Sequence, residues 1–263
     1  MNVFITGASS GIGEALAHAY AKQCSGSRAV IGLAARRVDM LQKLAQNLQE
    51  KYQIQTAIYA LDVRDKIALT DAANDFIQRF GAPNIVIANA GVSRGTLTEF
   101  SEDIAAFQTI MDINLMGMVH TFQPFISAMK QYVQQGHPAQ LVGVASVAGI
   151  RGLAGAGAYS ASKAAVINYL ESLRIEMAPH HIHVTTIAPG YVRSPMTDVN
   201  QFGMPFLLDA DVFAEKFIKA VTAKKRFVVI PWQMSLVVKL MRLVPPHLWD
   251  LLSKNAPQKS RET

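Results

Sequence analysis

Cysteine is nearly absent: Cys24 stands alone among 263 residues. A disulfide framework within the chain and any multi-cysteine metal site are therefore excluded, and no metal ligand set is expected. Charged residues are few, 17% against 50% hydrophobic, a balance that supplies a large core and excludes global disorder. No apolar run reaches the ~18 residues of a membrane-spanning helix. The opening MNVFITG has neither a basic stretch nor an apolar core ending in small residues, so no secretory signal is expected. Acidic residues are scarce at one end. Residues 215–263 hold 10 Lys+Arg against 3 Asp+Glu, whereas residues 1–214 hold 15 against 16. A nucleic-acid-binding protein more often carries its basic face through the fold, so no nucleic-acid partner is expected. The skew gives the tail a role of its own or makes it a solvated end. These absences together suit a cytoplasmic globular protein.

What is present is a repeated strand–helix pattern. Apolar runs at Asn2–Thr6, Ala29–Ala34, Gln55–Ala60, Asn84–Ala88, Gln140–Ala145, His183–Ala188 and Arg226–Ile230 read as strands. Several do not alternate, which suits strands covered on both faces. Helical patterns at Gly13–Cys24, Met40–Tyr52, Lys66–Phe80, Ile104–Gln134, Ala158–Met177 and Asp211–Ala223 separate them. The expected fold is a doubly wound parallel α/β sheet with right-handed crossovers.

The first strand runs into Thr6-Gly7-Ala8-Ser9-Ser10-Gly11-Ile12-Gly13 and then a helix. Glycines there let the backbone turn tightly and approach a pyrophosphate, whose charge a helix N-terminus favours. The second strand ends Ala34-Ala35-Arg36-Arg37, with no acid until Asp39 to take a ribose 2′-hydroxyl. Paired guanidinium groups suit a 2′-phosphate, which points to NADP rather than NAD. The alternative is a pair of surface arginines.

Tyr159 and Lys163 stand four apart on a predicted helix and so share a face. A nearby cation favours the phenolate of a tyrosine whose free pKa is ~10, making it a usable acid or base. Ser146 ends the fifth strand, 13 residues earlier, where its hydroxyl can bind a carbonyl oxygen.

In order and spacing these motifs resemble the classical short-chain dehydrogenase/reductase family over residues 1–230: TGASSGIG at 6–13, Asp62-Val63, Asn89-Ala90-Gly91, Asn114, Ser146, Tyr159 with Lys163, and Pro189-Gly190. The resemblance implies a Rossmann-like, three-layer α/β/α fold with about seven strands and hydride transfer between NADP(H) and a small-molecule carbonyl or alcohol. It implies Tyr159 as general acid in reduction and Ser146 polarising the carbonyl. Lys163 would bind the nicotinamide ribose and lower the tyrosine pKa, and Asn114 would hold a water linking Lys163 to a proton relay. Gly7, Ser9, Ser10, Gly11, Ile12 and Gly13 would line the pyrophosphate turn, with Asp62 and Val63 flanking the adenine. Asn89, Ala90 and Gly91 would shape the middle of the groove, and Pro189, Gly190 and Val192 would lie by the nicotinamide. Ser194 stands where the family often has threonine, and is expected to keep a phosphate or carboxamide contact. A homodimer or homotetramer is implied, built on the helices at Ile104–Gln134 and Ala158–Met177. An intact Asn114, Ser146, Tyr159 and Lys163 set favours an enzyme over a regulator that merely binds cofactor.

Residues 191–212 are expected to form a substrate lid. Met196, Val199, Phe202, Met204, Phe206, Leu207 and Leu208 there suit a hydrophobic carbonyl compound, or pack on the body. Arg94 and Arg151 are expected to be solvated, with an anionic substrate group as the alternative.

Residues 231–263 read as an apolar, basic tail. Trp232–Val244 forms one predicted helix stopped by Pro245-Pro246; His247–Leu252 adds further apolar residues, and NAPQKSRET reads as disordered. The tail is expected to pack on protein near the substrate cleft, as a lid or brace on its own or a partner subunit; the alternatives are reversible contact with an anionic membrane and a docking site for another protein.

Overall fold

The computed structural model describes residues 1–200, 202–254, 259 and 261. Its seven strands are Val3–Thr6 (β1), Val30–Ala35 (β2), Gln55–Ala60 (β3), Ile85–Ala88 (β4), Gln140–Val144 (β5), His183–Pro189 (β6) and Phe227–Ile230 (β7). Every pairing is parallel, in the order β3-β2-β1-β4-β5-β6-β7. β1, β2, β4 and β5 are buried along their whole length, as their unalternating sequences require. The ends of the expected strands shift by no more than one residue.

Helices Gly11–Gln23 (α1), Val38–Tyr52 (α2), Lys66–Phe80 (α3), Asp103–Met111 (α4), Gly117–Gln134 (α5), Gly157–Met177 (α6), Pro195–Asp198 (α7), Ala210–Thr222 (α8), Trp232–Leu243 (α9) and Pro246–Ser253 (α10) follow. Two cores lie on opposite faces of the sheet. One joins Leu16, Leu41, Leu48, Phe213 and Phe217 of α1, α2 and α8 to the strands. The other gathers Phe76, Phe122, Phe125 and Leu170 of α3, α5 and α6 around Phe4. The result is a Rossmann-like α/β/α sandwich. Strand order reverses between β1 and β4, which opens a crevice outside their carboxyl ends. Local signals agree with this layout: Asp65 caps α3, accepting from the Ile67 and Ala68 N–H groups at 3.0 Å.

Two expectations need correction. The single helix expected over Ile104–Gln134 is interrupted by a π-helical turn at Asp112–Met116. Of NAPQKSRET, expected to be disordered, Lys259 and Arg261 are placed against the body. Arg261 Nε donates to Asp103 Oδ2 at 2.9 Å, and its guanidinium lies 3.7 Å from the centre of the Phe100 ring. The other residues of that segment lie outside the described ones.

Candidate active site

The turn after β1 is shaped for close backbone approach. Gly7 and Gly11 adopt φ of +69° and +57°, a region that favours glycine. A Cβ on Gly13 would come within 2.1 Å of the Gly7 carbonyl oxygen, so this glycine lets α1 start tight against the turn. Asn89, following β4, clamps the loop by donating Nδ2 to the Thr6 and Gly7 carbonyl oxygens at 3.1 and 3.2 Å. Gly7, Ser9, Ser10, Gly11 and Ile12 line one end of a cleft of about 660 Å³. Backbone N–H groups at such a helix start suit an anion.

Arg36 and Arg37 line the same end. Arg37 folds over the turn, its Nη2 donating to Ser9 Oγ at 2.9 Å and Ser10 Oγ at 2.7 Å. Asp62 and Val63 form the adjoining wall. The Arg64 guanidinium holds the Asp62 carboxylate from Nη2 at 2.8 Å and keeps its pKa below the usual carboxylate range. Asn89, Ala90 and Gly91 line the middle of the cleft.

At the far end Ser146, just after β5, meets Tyr159 and Lys163 from the first turns of α6. Lys163 is buried; its Nζ donates to the Val144 carbonyl oxygen at 2.9 Å and lies 5.9 Å from the centre of the Tyr159 ring. Burial pulls its pKa down to about 8. Burial also raises the Tyr159 phenol, with the Ser146 hydroxyl beside it working the other way. Among the protein's own groups desolvation is thus the largest influence on both side chains.

Asn114 sits behind the cleft wall, fully buried in the π-helical turn. Its Oδ1 accepts from Val92 N at 2.8 Å, and its Nδ2 donates to Val92 O at 3.0 Å and Ser162 Oγ at 2.9 Å. A Cβ on Gly91 would stand 3.2 Å from Asn114 Oδ1 and 3.5 Å from Lys163 Nζ, so amide and ammonium meet behind the same glycine. Of the residues expected in catalysis or cofactor binding, Asn114 and Gly13 are the two that do not line the cleft.

Pro189, Gly190, Val192 and Ser194 complete the lining after β6. A Cβ on Gly11 would fall 2.9 Å from Ser194 Cβ, which puts Ser194 against the glycine turn. Thr197, passed over in the sequence, receives the Ser194 N–H on Oγ1 at 3.0 Å and donates to the Val192 carbonyl oxygen at 2.8 Å. A phenol, an ammonium and a hydroxyl thus converge at one end of the cleft, an arrangement able to exchange a proton with a substrate oxygen.

Comparison with known proteins agrees with this geometry. The family model described as short chain dehydrogenase matches residues 1–202. The chain belongs to the short-chain dehydrogenase family. It is an oxidoreductase of a family that binds a nicotinamide cofactor. An uncharacterized oxidoreductase of Myxococcus xanthus is 34% identical over 250 residues, covering 95% of each chain. An alcohol dehydrogenase from the archaeon Thermococcus sibiricus, solved in complex with 5-hydroxy-NADP, superposes with a TM-score of 0.73 at 26% identity, over 87% of this chain and 95% of that one. A Sphingobium yanoikuyae short-chain dehydrogenase shares the fold, with a TM-score of 0.75 at 21% identity over 93% of this chain and 96% of that one.

The rim of the cleft differs from what the sequence leads one to expect. Met196 and Phe202 line the cleft, joined by Asn200 and Pro205. Val199 and Phe206 instead face solvent, 62% and 48% exposed, and Leu208 turns inward to bridge Val192 and pack on the core. Met234 and Met241 of α9 line the cleft as well. Met234 reaches it because Gly190 leaves room; a Cβ there would meet Met234 Cγ at 2.9 Å. Arg151, expected in solvent or on substrate, does neither. Its Nη1 donates to the Met241 and Val244 carbonyl oxygens at 3.1 and 2.9 Å, and its guanidinium lies 4.9 Å from the centre of the Trp249 ring. Arg94 Nε likewise donates to the Arg261 carbonyl oxygen at 2.6 Å.

Proposed function

We propose that this chain is an NADP(H)-dependent oxidoreductase that interconverts a hydrophobic ketone or aldehyde and its alcohol. The observation that carries the reading is one cleft with Ser146, Tyr159 and Lys163 at one end and an arginine-flanked glycine turn at the other. These residues fit a nicotinamide dinucleotide. The turn excludes side chains where a pyrophosphate would lie, and the cleft is large enough for a cofactor of this kind. When bound, the cofactor supplies or accepts the hydride. In reduction Tyr159 donates its phenolic proton to the substrate carbonyl oxygen, and in oxidation it takes that proton back. Ser146 donates a hydrogen bond to the same oxygen. Lys163 holds the nicotinamide ribose and, as a cation, favours the phenolate left on Tyr159. Asn114 holds a water behind Lys163 through which the proton is replaced.

Gly7, Ser9, Ser10, Gly11, Ile12 and Gly13 form the pyrophosphate turn, Asp62 and Val63 flank the adenine, and Asn89, Ala90 and Gly91 shape the groove between. Pro189, Gly190 and Val192 border the nicotinamide, and Ser194 serves the phosphate side, against Gly11. Arg36 and Arg37 take the 2′-phosphate. Their charge and the absence of an acid at the end of β2 support NADP(H), as does the complex of the Thermococcus sibiricus relative with 5-hydroxy-NADP. Leu153, Met196, Phe202, Met234 and Met241 favour an apolar substrate. Residues 1–230 act as the catalytic domain and 231–263 as its appended tail. Exposed Ile104, Phe107 and Ile175 on α4 and α6 support pairing of those helices with a second copy.

NADPH oxidation against a panel of aliphatic, aromatic and sterol-sized carbonyl compounds tests the reading. Turnover is expected with apolar members of the panel. NADPH binding without turnover of any carbonyl would favour a cofactor-binding regulator instead.

A further inference from the structure

Helix α9 has two unlike faces. Met234 and Val238 are buried on one, and Met241 on the same side lines the cleft. At ~100° per residue, Trp232, Leu236, Leu240 and Leu243 share the other face, and they are 66, 53, 65 and 79% exposed. Helix α10 continues the apolar surface with Leu248, Leu251 and Leu252, 40, 60 and 64% exposed. Its Trp249 turns inward and donates Nε1 to the Gly152 carbonyl oxygen at 3.1 Å. The pair is already anchored to the body by the buried face of α9, by Trp249 and by the Arg151 contacts. Among the described residues, the outward leucines are therefore not needed to hold the pair to the body.

Charge selects the occupant of that face. Lys239 and Arg242 are exposed along its margin, Lys254 follows α10, and Asp250 is the sole acid between Trp232 and Lys254. A second copy placed by a twofold axis would set this patch against itself and oppose like charges. An anionic lipid surface accepts leucine and tryptophan at its boundary and attracts the cations beside them. Among the described residues no helix is long and apolar enough to cross a membrane, so such contact lies at the interface.

We infer that α9 and α10 dock this protein on an anionic membrane surface through Trp232, Leu236, Leu240, Leu243, Leu251 and Leu252. The docked helix also forms part of the cleft wall through Met234 and Met241. The inference stands on the surface alone and does not depend on the reaction proposed above.

Co-sedimentation of the full chain with phosphatidylcholine vesicles, with and without phosphatidylserine, tests it. Binding is expected to the vesicles that contain phosphatidylserine and to weaken with salt. Lys239→Ser with Arg242→Ser is expected to weaken it about 25-fold, at roughly fivefold per cation. Leu240→Gln with Leu243→Gln is expected to weaken it by at least ~10-fold. All four side chains are exposed, so both double variants are expected to keep the wild-type melting temperature. Absence of wild-type binding, equal binding to both vesicle types, or binding unchanged in either folded double variant would overturn the inference. A leucine variant that instead lowers the mass seen by light scattering, in a protein that ignores vesicles, would assign the face to a second copy. Should the leucine variant not fold, the charge variant carries the test alone.

Discussion

Lys163 Nζ lies 5.9 Å from the centre of the Tyr159 ring, held there by a 2.9 Å hydrogen bond to the Val144 carbonyl oxygen. The strand end thus decides where the cation stands relative to the phenol, and it does so in a site dry enough to bring the lysine pKa from 10.5 to about 8.

That depression has a sign. Above about pH 8 the folded protein releases the Lys163 proton while the unfolded chain keeps it, so this group adds stability as pH rises from about 8 towards 10. Lys163→Met abolishes the increment. Denaturant unfolding of both proteins at the two ends of that range should show a wild-type gain, relative to the variant, on the order of 2 kcal/mol. Parallel pH curves would mean that Lys163 is not buried as a cation. Carbonyl reduction is expected to decline as pH passes about 8, where Lys163 loses its charge.

Arg37 is held over the glycine turn by Ser9 and Ser10, whereas Arg36 is exposed and, among the described residues, without such support. Replacing both arginines by alanine is expected to weaken NADPH binding by at least ~10-fold, through loss of charge-assisted hydrogen bonds, and to leave NADH binding nearly unchanged. Titration of both cofactors checks this. Equal losses for the two would make the arginines structural, and a wild-type preference for NADH would refute the 2′-phosphate assignment.

Arg151 joins the body to the end of α9. Arg151→Ala removes two hydrogen bonds to backbone carbonyls and the contact with Trp249, and is expected to destabilise the protein by about 1–3 kcal/mol. Thermal melting reads that loss. Because Met241 lines the cleft, KM for a bulky apolar carbonyl should rise more than KM for NADPH. An unchanged melting temperature would show that the tail is held elsewhere.

Much of this layout was legible in the sequence. The unalternating runs at Val30–Ala35 and Gln140–Val144 could be buried only between two helical layers, and the glycine spacing at 7, 11 and 13 marked the turn. The π-helical turn was not legible. DINLM continues the pattern of its neighbours, and Asn114 pairs with Val92, 22 residues away, through tertiary contacts that no local period records. The lid was only partly readable, because a short irregular segment has no period to separate inward Phe202 from outward Phe206. Arg151 was misjudged for the same reason: its partners, the carbonyls of Met241 and Val244, lie about 90 residues on and have no side-chain signature.

Ile104 and Ile175 are 59 and 69% exposed on α4 and α6. If those helices pair with a second copy, Ile104→Glu with Ile175→Glu buries like charges in the contact and is expected to release the monomer at micromolar concentration. Light scattering decides. A wild-type monomer at every concentration would reject the pairing.

The central claim is that Tyr159 supplies the proton in carbonyl reduction. Its most direct test is NADPH oxidation with an accepted apolar carbonyl by the wild type and by Tyr159→Phe, alongside NADPH titration and melting of both. The substitution removes a single hydroxyl. The account predicts loss of at least ~99% of turnover, the share that general acid catalysis supplies, with cofactor binding and melting temperature kept. Near-wild-type turnover by the folded variant would contradict it.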